Sequence, residues 1–336
     1  MTHPFTVGGV PMQLPIMLGG GVCKFVHQLE PYLRSDLPVG ALEIGSFTPD
    51  ERPGNPGSPQ WPESLEDFRR YGLGLNSWNM PNAGFEATAA ALATIESPHP
   101  IIANIAGFAP TDFVDGVKIF EALPQVAGTT LNFGCPNTES IPIACSLNST
   151  KAIMDAVQQT QPEKPVWIKL SPPITEEERD KLAEKLAKIV HPLLVDLSEV
   201  PTTPAGFLAE MLGLILPYSF VKAAIIANTL GNVRIIDPNT GQLVIKVNNG
   251  KGGLSGSFLR DNITLPLVKQ ASDFLNGRLD IIACGGGDEG KRIVDYLHTG
   301  AKGVQCVSGP IWNSGPQFFA SLLEDPNLQQ YLTERM

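Results

Sequence analysis

Neutral amides, one thiol and one lysine stand out for the positions at which they fall. Asn76, Asn79 and Asn82 lie in Leu-Asn-Ser-Trp-Asn-Met-Pro-Asn, and Asn104 in Ile-Ile-Ala-Asn-Ile-Ala-Gly. Asn132, Cys135 and Asn137 share Leu-Asn-Phe-Gly-Cys-Pro-Asn, Lys169 follows Trp-Ile, and Asn228 precedes Thr229. An amide both donates and accepts, which suits a flat heterocycle edged with carbonyl and N–H groups. Taken singly, each Asn also reads as a turn or cap residue, Cys135 as a small buried apolar residue and Lys169 as a surface charge. Their concentration at the ends of apolar runs favours a ligand site.

A second kind of chemistry belongs to Ile281-Ile-Ala-Cys-Gly-Gly-Gly-Asp-Glu-Gly-Lys-Arg, a strand, a glycine turn and a helix start. Free backbone N–H groups and the helix dipole at such a turn hold a phosphate. Gly285 to Lys291 matches G-x-x-x-x-G-K, but Arg292 stands where a triphosphate-binding loop needs Ser or Thr for magnesium, so that reading is rejected. The phosphate site of a barrel near its seventh and eighth strands fits better, with Gly252 to Gly256 adding donors.

Eight elements must position these residues. Short apolar runs recur at Leu14 to Gly19, Ala41 to Gly45, Ile101 to Ala106, Thr130 to Gly134, Val166 to Leu170, Ala224 to Asn228, Asp280 to Ala283 and Gly303 to Val307. Continuous apolar runs, rather than alternation, mark strands covered on both faces. Eight of them separated by helix-like stretches predict a (β/α)8 TIM barrel, one domain over residues 1–336, with its site at the C-terminal strand ends. Thr175 and Glu178 form a T-x-x-E capping box that opens a helix to Ile189. The segment Asn232 to Asn248 reads as an inserted β-hairpin turning at Asp237-Pro-Asn-Thr-Gly.

Composition narrows the partners. The formal net charge of −10 disfavours a phosphate backbone as ligand, so no nucleic-acid partner is expected. The five cysteines form no C-x-x-C pair, which points to a reducing compartment and no structural metal. The most apolar stretch, residues 206–231, is broken by Glu210, Pro217 and Lys222, so no membrane span is expected. The first Lys is Lys24, which leaves no basic leader and predicts a cytoplasmic protein. The expected partners are a small-molecule ring substrate and a second copy of the chain.

Taken in order, Leu131 to Thr138, Trp167 to Ser171, Asn228-Thr229, Gly252 to Gly256, Ile281 to Gly290 and Gly303 to Ser308 resemble the successive signature segments of the dihydroorotate dehydrogenases. Arg52-Pro-Gly-Asn-Pro and Asn76 to Asn82 extend the likeness toward the start. The Cys of Gly-Cys-Pro-Asn is similar to that of the soluble class of the family. The resemblance implies an FMN barrel in which Cys135 removes a proton from the dihydropyrimidine ring while a hydride passes to the flavin. It implies that Asn76, Asn132, Asn137, Asn228 and Thr229 hold the substrate. Gly20, Ser46, Asn104, Asn132, Lys169, Asn228, Gly253, Gly256, Gly285, Gly286 and Ser308 would hold the cofactor.

One departure bears on the substrate. The family's Lys at the end of the second strand, a partner of the substrate carboxylate, is Gly45 here. The resemblance implies oxidation of dihydroorotate to orotate with a different carboxylate partner. The alternatives are an FMN oxidoreductase acting on a neutral dihydropyrimidine or another ring, preferred unless a residue such as Lys24 or Arg52 reaches in from a loop, and a non-catalytic flavin-binding partner protein. Trp78 and Asn79 replace smaller residues and predict a reshaped pocket, and the stretch 191–218 predicts a longer connection that covers the site or meets a partner.

Overall fold

The computed structural model describes residues 4–134, 146–189, 193–312 and 315–335. Cys135 and Asn137 lie outside the described residues. The strands are β1 (Phe5–Val7), β2 (Val10–Met12), β3 (Ile16–Leu18), β4 (Ala41–Phe47), β5 (Gln60–Trp61) and β6 (Gly74–Asn76). Next come β7 (Ile101–Ile105), β8 (Val126–Asn132), β9 (Val166–Leu170), β10 (Leu194–Asp196) and β11 (Val221–Ile226). The last are β12 (Leu230–Asp237), β13 (Gln242–Leu243), β14 (Gly252–Ser255), β15 (Asp280–Cys284) and β16 (Gly303–Cys306).

Eight parallel strands close in the order β3-β4-β7-β8-β9-β11-β15-β16, and each contains residues of one of the eight apolar runs. Helices cover them outside, so β7 and β9 are buried at every position, which is why they lack alternation. The fold is the expected (β/α)8 barrel. The β1–β2 hairpin plugs its N-terminal end: the Gly8 amide donates to Asp280 Oδ2 at 2.9 Å, and Trp167 Nε1 donates to Gly8 O at 2.8 Å. Val7, Val10 and Met12 thereby join Met17, Ile102 and Ile282 in the barrel's inner core.

Over the opposite end lies a sheet ordered β10-β12-β14-β6-β5, with β13 paired to β12. The expected hairpin is its β12–β13 limb, closed by Gly241 N to Asp237 O at 2.7 Å, but β12 begins earlier and β13 ends at Leu243. The Gly252 to Ser255 run is therefore a strand, paired antiparallel with β6. Between β9 and β11, the added helix Phe207–Ile215 packs against the helices Leu147–Gln158 and Leu265–Leu275 on the outer wall. No helix among the described residues is long and apolar enough to cross a membrane.

The capping box forms as read. Thr175 N donates to Glu178 Oε2 at 2.8 Å and Glu178 N to Thr175 Oγ1 at 3.2 Å, ahead of the helix Glu176–Ile189, which buries Leu182 and Leu186. Thr175→Ala is expected to cost about 1 kcal/mol, measurable as a lowered urea midpoint with an unchanged slope.

Candidate active site

The C-terminal mouth of the barrel opens into a pocket. Of the expected site residues, Gly20, Ser46, Asn76, Asn104, Asn132, Lys169, Asn228, Thr229, Gly256, Gly285, Gly286 and Ser308 line it. Gly253 does not. It sits within β14, opposite Asn76 in β6, whose Nδ2 donates to Gly253 O at 3.4 Å, so its backbone serves the sheet. Leu254, Leu259, Val307, Ile311 and Trp312 form an apolar wall that the sequence reading did not single out.

Three strand ends meet through their amides. Asn132 Nδ2 donates to Ser46 Oγ at 2.8 Å, and Asn228 Nδ2 donates to Asn132 Oδ1 at 3.1 Å and to Gly134 O at 2.7 Å. Asn228 Oδ1 accepts from Thr229 N at 2.9 Å. Each amide is thus held in one orientation at the pocket it lines.

Below them the barrel interior is charged. Lys169 (2% exposed) donates to Gln305 Oε1 at 3.2 Å and pairs with Glu43 Oε2 at 3.5 Å. Burial opposes the Lys169 charge, but the facing Glu43 carboxylate, within reach of its ammonium, raises its pKa. Burial also raises the Cys284 thiol, which leaves Glu43 as the counter-ion. Asn104 Oδ1 and Gln305 Nε2 are buried with no partner among the described residues. Such atoms are costly unless a ligand or water meets them.

Gly45, at φ +116°, stands where an added Cβ would lie 2.6 Å from Asn104 O, so this backbone accepts no larger residue. Its main chain binds the loop after β3, with Gly21 N donating to Gly45 O at 2.7 Å and Gly45 N to Cys23 O at 2.9 Å. The next residue, Lys24, lines the pocket. Its ammonium donates to Gly21 O at 2.7 Å and lies 4.3 Å from the Trp78 ring centre, and burial lowers its pKa to about 8. Arg52 turns elsewhere, donating to Asn79 Oδ1 at 2.6 Å. Of the two loop cations considered from sequence, Lys24 is the one in the pocket.

Part of the pocket lining is glycine backbone. Gly256, Gly285 and Gly286 adopt φ of +115°, +123° and +59°, and a Cβ on Gly286 would meet Arg260 Cβ at 2.7 Å. The Gly285 and Gly286 amides make none of the described loop or turn hydrogen bonds within the chain. Among the described residues no group of His, Cys, Asp and Glu could hold a metal ion.

The sequence model of the family described as dihydroorotate dehydrogenase matches residues 4–200 and 214–327. The chain belongs to that family. Its break at 201–213 falls on the added helix of the outer wall. A putative dihydroorotate dehydrogenase A (fumarate) of Pediococcus pentosaceus is 27% identical, over 92% of this chain and 88% of its own length. A dihydroorotate dehydrogenase B (NAD(+)) catalytic subunit of Anoxybacillus flavithermus is 28% identical over 88% and 81%. A dihydroorotate dehydrogenase (quinone) of Shewanella pealeana is 25% identical over 96% and 85%. The crystal structure of DHODH from Eimeria tenella in complex with ferulenol shares the fold, with a TM-score of 0.73 at 18% identity, covering 98% of this chain and 84% of that one. The chain is thus a divergent dihydroorotate dehydrogenase-like oxidoreductase barrel.

Proposed function

We propose that this pocket binds FMN and oxidises dihydroorotate to orotate, with Cys135 as the proton acceptor. The observation that carries the reading is one pocket lined both by a glycine turn and by a fixed amide row with a lysine. The residues fit the cofactor. The left-handed glycines leave a cradle that side chains would fill, and free amides there suit a phosphate. The orphaned Asn104 Oδ1 belongs to a residue that lines the pocket with Lys169, where a polar edge of a flavin ring would satisfy it.

Bound FMN supplies the two-electron acceptor for the substrate's hydride. The chain's own residues do the rest. Lys169 offers positive charge where negative charge develops on reduction. Asn132 and Asn228, with Asn76 and Thr229, orient the pyrimidine edge, and Asn137 would join them. Lys24 supplies the cation that Gly45 cannot, since a carboxylate in a water-poor pocket needs a partner. Of its three N–H donors one goes to Gly21 O, which leaves donors for the substrate. This favours dihydroorotate over a neutral ring.

The purified chain is expected to be yellow and to bleach anaerobically with dihydroorotate, with dihydrouracil at least ~10-fold less effective. Equal bleaching by both would sink the carboxylate reading, and no flavin binding would sink the whole. Orotate affinity is expected to hold constant below the Lys24 pKa of about 8 and to weaken above it as the ammonium is lost. Lys24→Met is expected to remove that pH dependence and to weaken orotate by ~10-fold or more, equivalent to about 1.4 kcal/mol.

A further inference from the structure

Within the apolar run of β4, Glu43 is a carboxylate at 1% exposure that does not itself line the pocket. Each of its described donors belongs to a residue that does. Oε2 accepts from Gly20 N at 2.6 Å and faces Lys169 Nζ at 3.5 Å, while Oε1 accepts from Asn104 Nδ2 at 3.1 Å. A buried carboxylate without such partners costs several kcal/mol, and so does a buried ammonium. Glu43 and Lys169 therefore hold each other's charge in place.

We propose that Glu43 is a positioning residue that keeps Lys169 protonated in both redox states of the bound flavin, so that one proton rather than two enters with each electron pair. The proposal rests on the flavin reading of the pocket. Around Lys169 stand Glu43 from β4, Gln305 from β16, the Cys284 thiol from β15, and the register neighbours Asn132 of β8 and Ile225 of β11. Only Glu43 among these offers fixed negative charge, since burial keeps the thiol protonated.

With Glu43 present, two electrons and one proton give a reduced flavin carrying one negative charge beside an ammonium that was already there. In Glu43→Gln the buried amine has no counter-ion while the flavin is oxidised. It is then neutral and takes up a second proton when negative charge arrives above it.

The experiment is the pH dependence of the flavin midpoint potential in the holoprotein, which reports protons per electron pair. The wild-type chain is expected to take up one, Glu43→Gln two, and Glu43→Asp, which keeps the charge, one. A wild-type value of two, or a Glu43→Gln chain that keeps the wild-type value, overturns the proposal. Should Glu43→Gln fail to fold, Glu43→Gln/Lys169→Met removes both buried charges and is expected to recover folding. Failure of the double variant to recover it makes Glu43 a structural anchor for Gly20 and Asn104, and likewise overturns the proposal. A wild-type chain that binds no flavin at all fails the underlying reading instead, and its spectrum separates that outcome from the others.

Discussion

A Cys135→Ala chain is expected to bind FMN as the wild type does and to lose on the order of 10² or more in the rate of flavin reduction by dihydroorotate. A thiol with an ordinary pKa near ~8.5 is a competent base at neutral pH, and alanine leaves the ring proton with no acceptor. Gly134, the last described residue before Cys135, is tightly held: its amide donates to Asn132 Oδ1 at 3.1 Å and its carbonyl accepts from Asn228 at 2.7 Å. A Cβ on Gly134 would meet Ser171 N at 2.9 Å, so the chain departs for residue 135 from a fixed point at the amide row. The check is single-turnover reduction under anaerobic conditions, which isolates this step from later electron transfer. An unchanged rate would remove Cys135 from the chemistry. Equilibrium FMN binding in the same preparation separates lost catalysis from lost cofactor.

The second large effect is expected at the glycine turn. Gly286→Val should weaken FMN by about 10²-fold, because a β-branched residue at φ +59° is strained by roughly 1–3 kcal/mol and its Cβ meets Arg260 Cβ at 2.7 Å and Gly256 O at 3.0 Å. Arg260 is not free to give way: it donates to Asp295 Oδ2 at 2.9 Å and to Arg292 O at 3.1 Å, and lies over the Tyr296 ring. Relief must come from the loop, which moves the Gly285 and Gly286 amides off the phosphate. Fluorescence titration of the flavin-free chain measures the loss. Gly57→Val, which puts the same residue at φ +76° with nothing near its Cβ, is expected to leave FMN affinity unchanged.

The barrel was legible because its strands are buried on both faces, and a near-continuous apolar run such as Val166 to Leu170 survives without knowledge of its neighbours. The sheet over the mouth was not. β6 and β14 are three and four residues long, rich in glycine, and paired across more than half the chain, so no local pattern marks them. Within the Gly252 to Gly256 run, Gly253 is taken up in the β14–β6 pairing, while Gly256, at the strand's end, lines the pocket. Asn132, Asn228 and Lys169 were readable because each closes or interrupts an apolar run. Glu43 carried the same signal, a lone charge within Ala-Leu-Glu-Ile, and was passed over because it sits inside its strand rather than at the end. The β1–β2 plug escaped because each strand has three residues.

Gly45 ties two choices together. A lysine at that position would need the end of β4 laid differently, since the present backbone puts a Cβ against Asn104 O. Relaying it would break the two hydrogen bonds through which Gly45 seats the Gly21–Cys23 loop, and with them the placement of Lys24. A cation from the second barrel strand and a cation from the loop after the first are therefore mutually exclusive solutions in one framework. Gly45→Lys alone forfeits one before gaining the other. Passage between the two arrangements requires coordinated changes, and homologous segments exchanged one at a time are expected to yield chimaeras with neither.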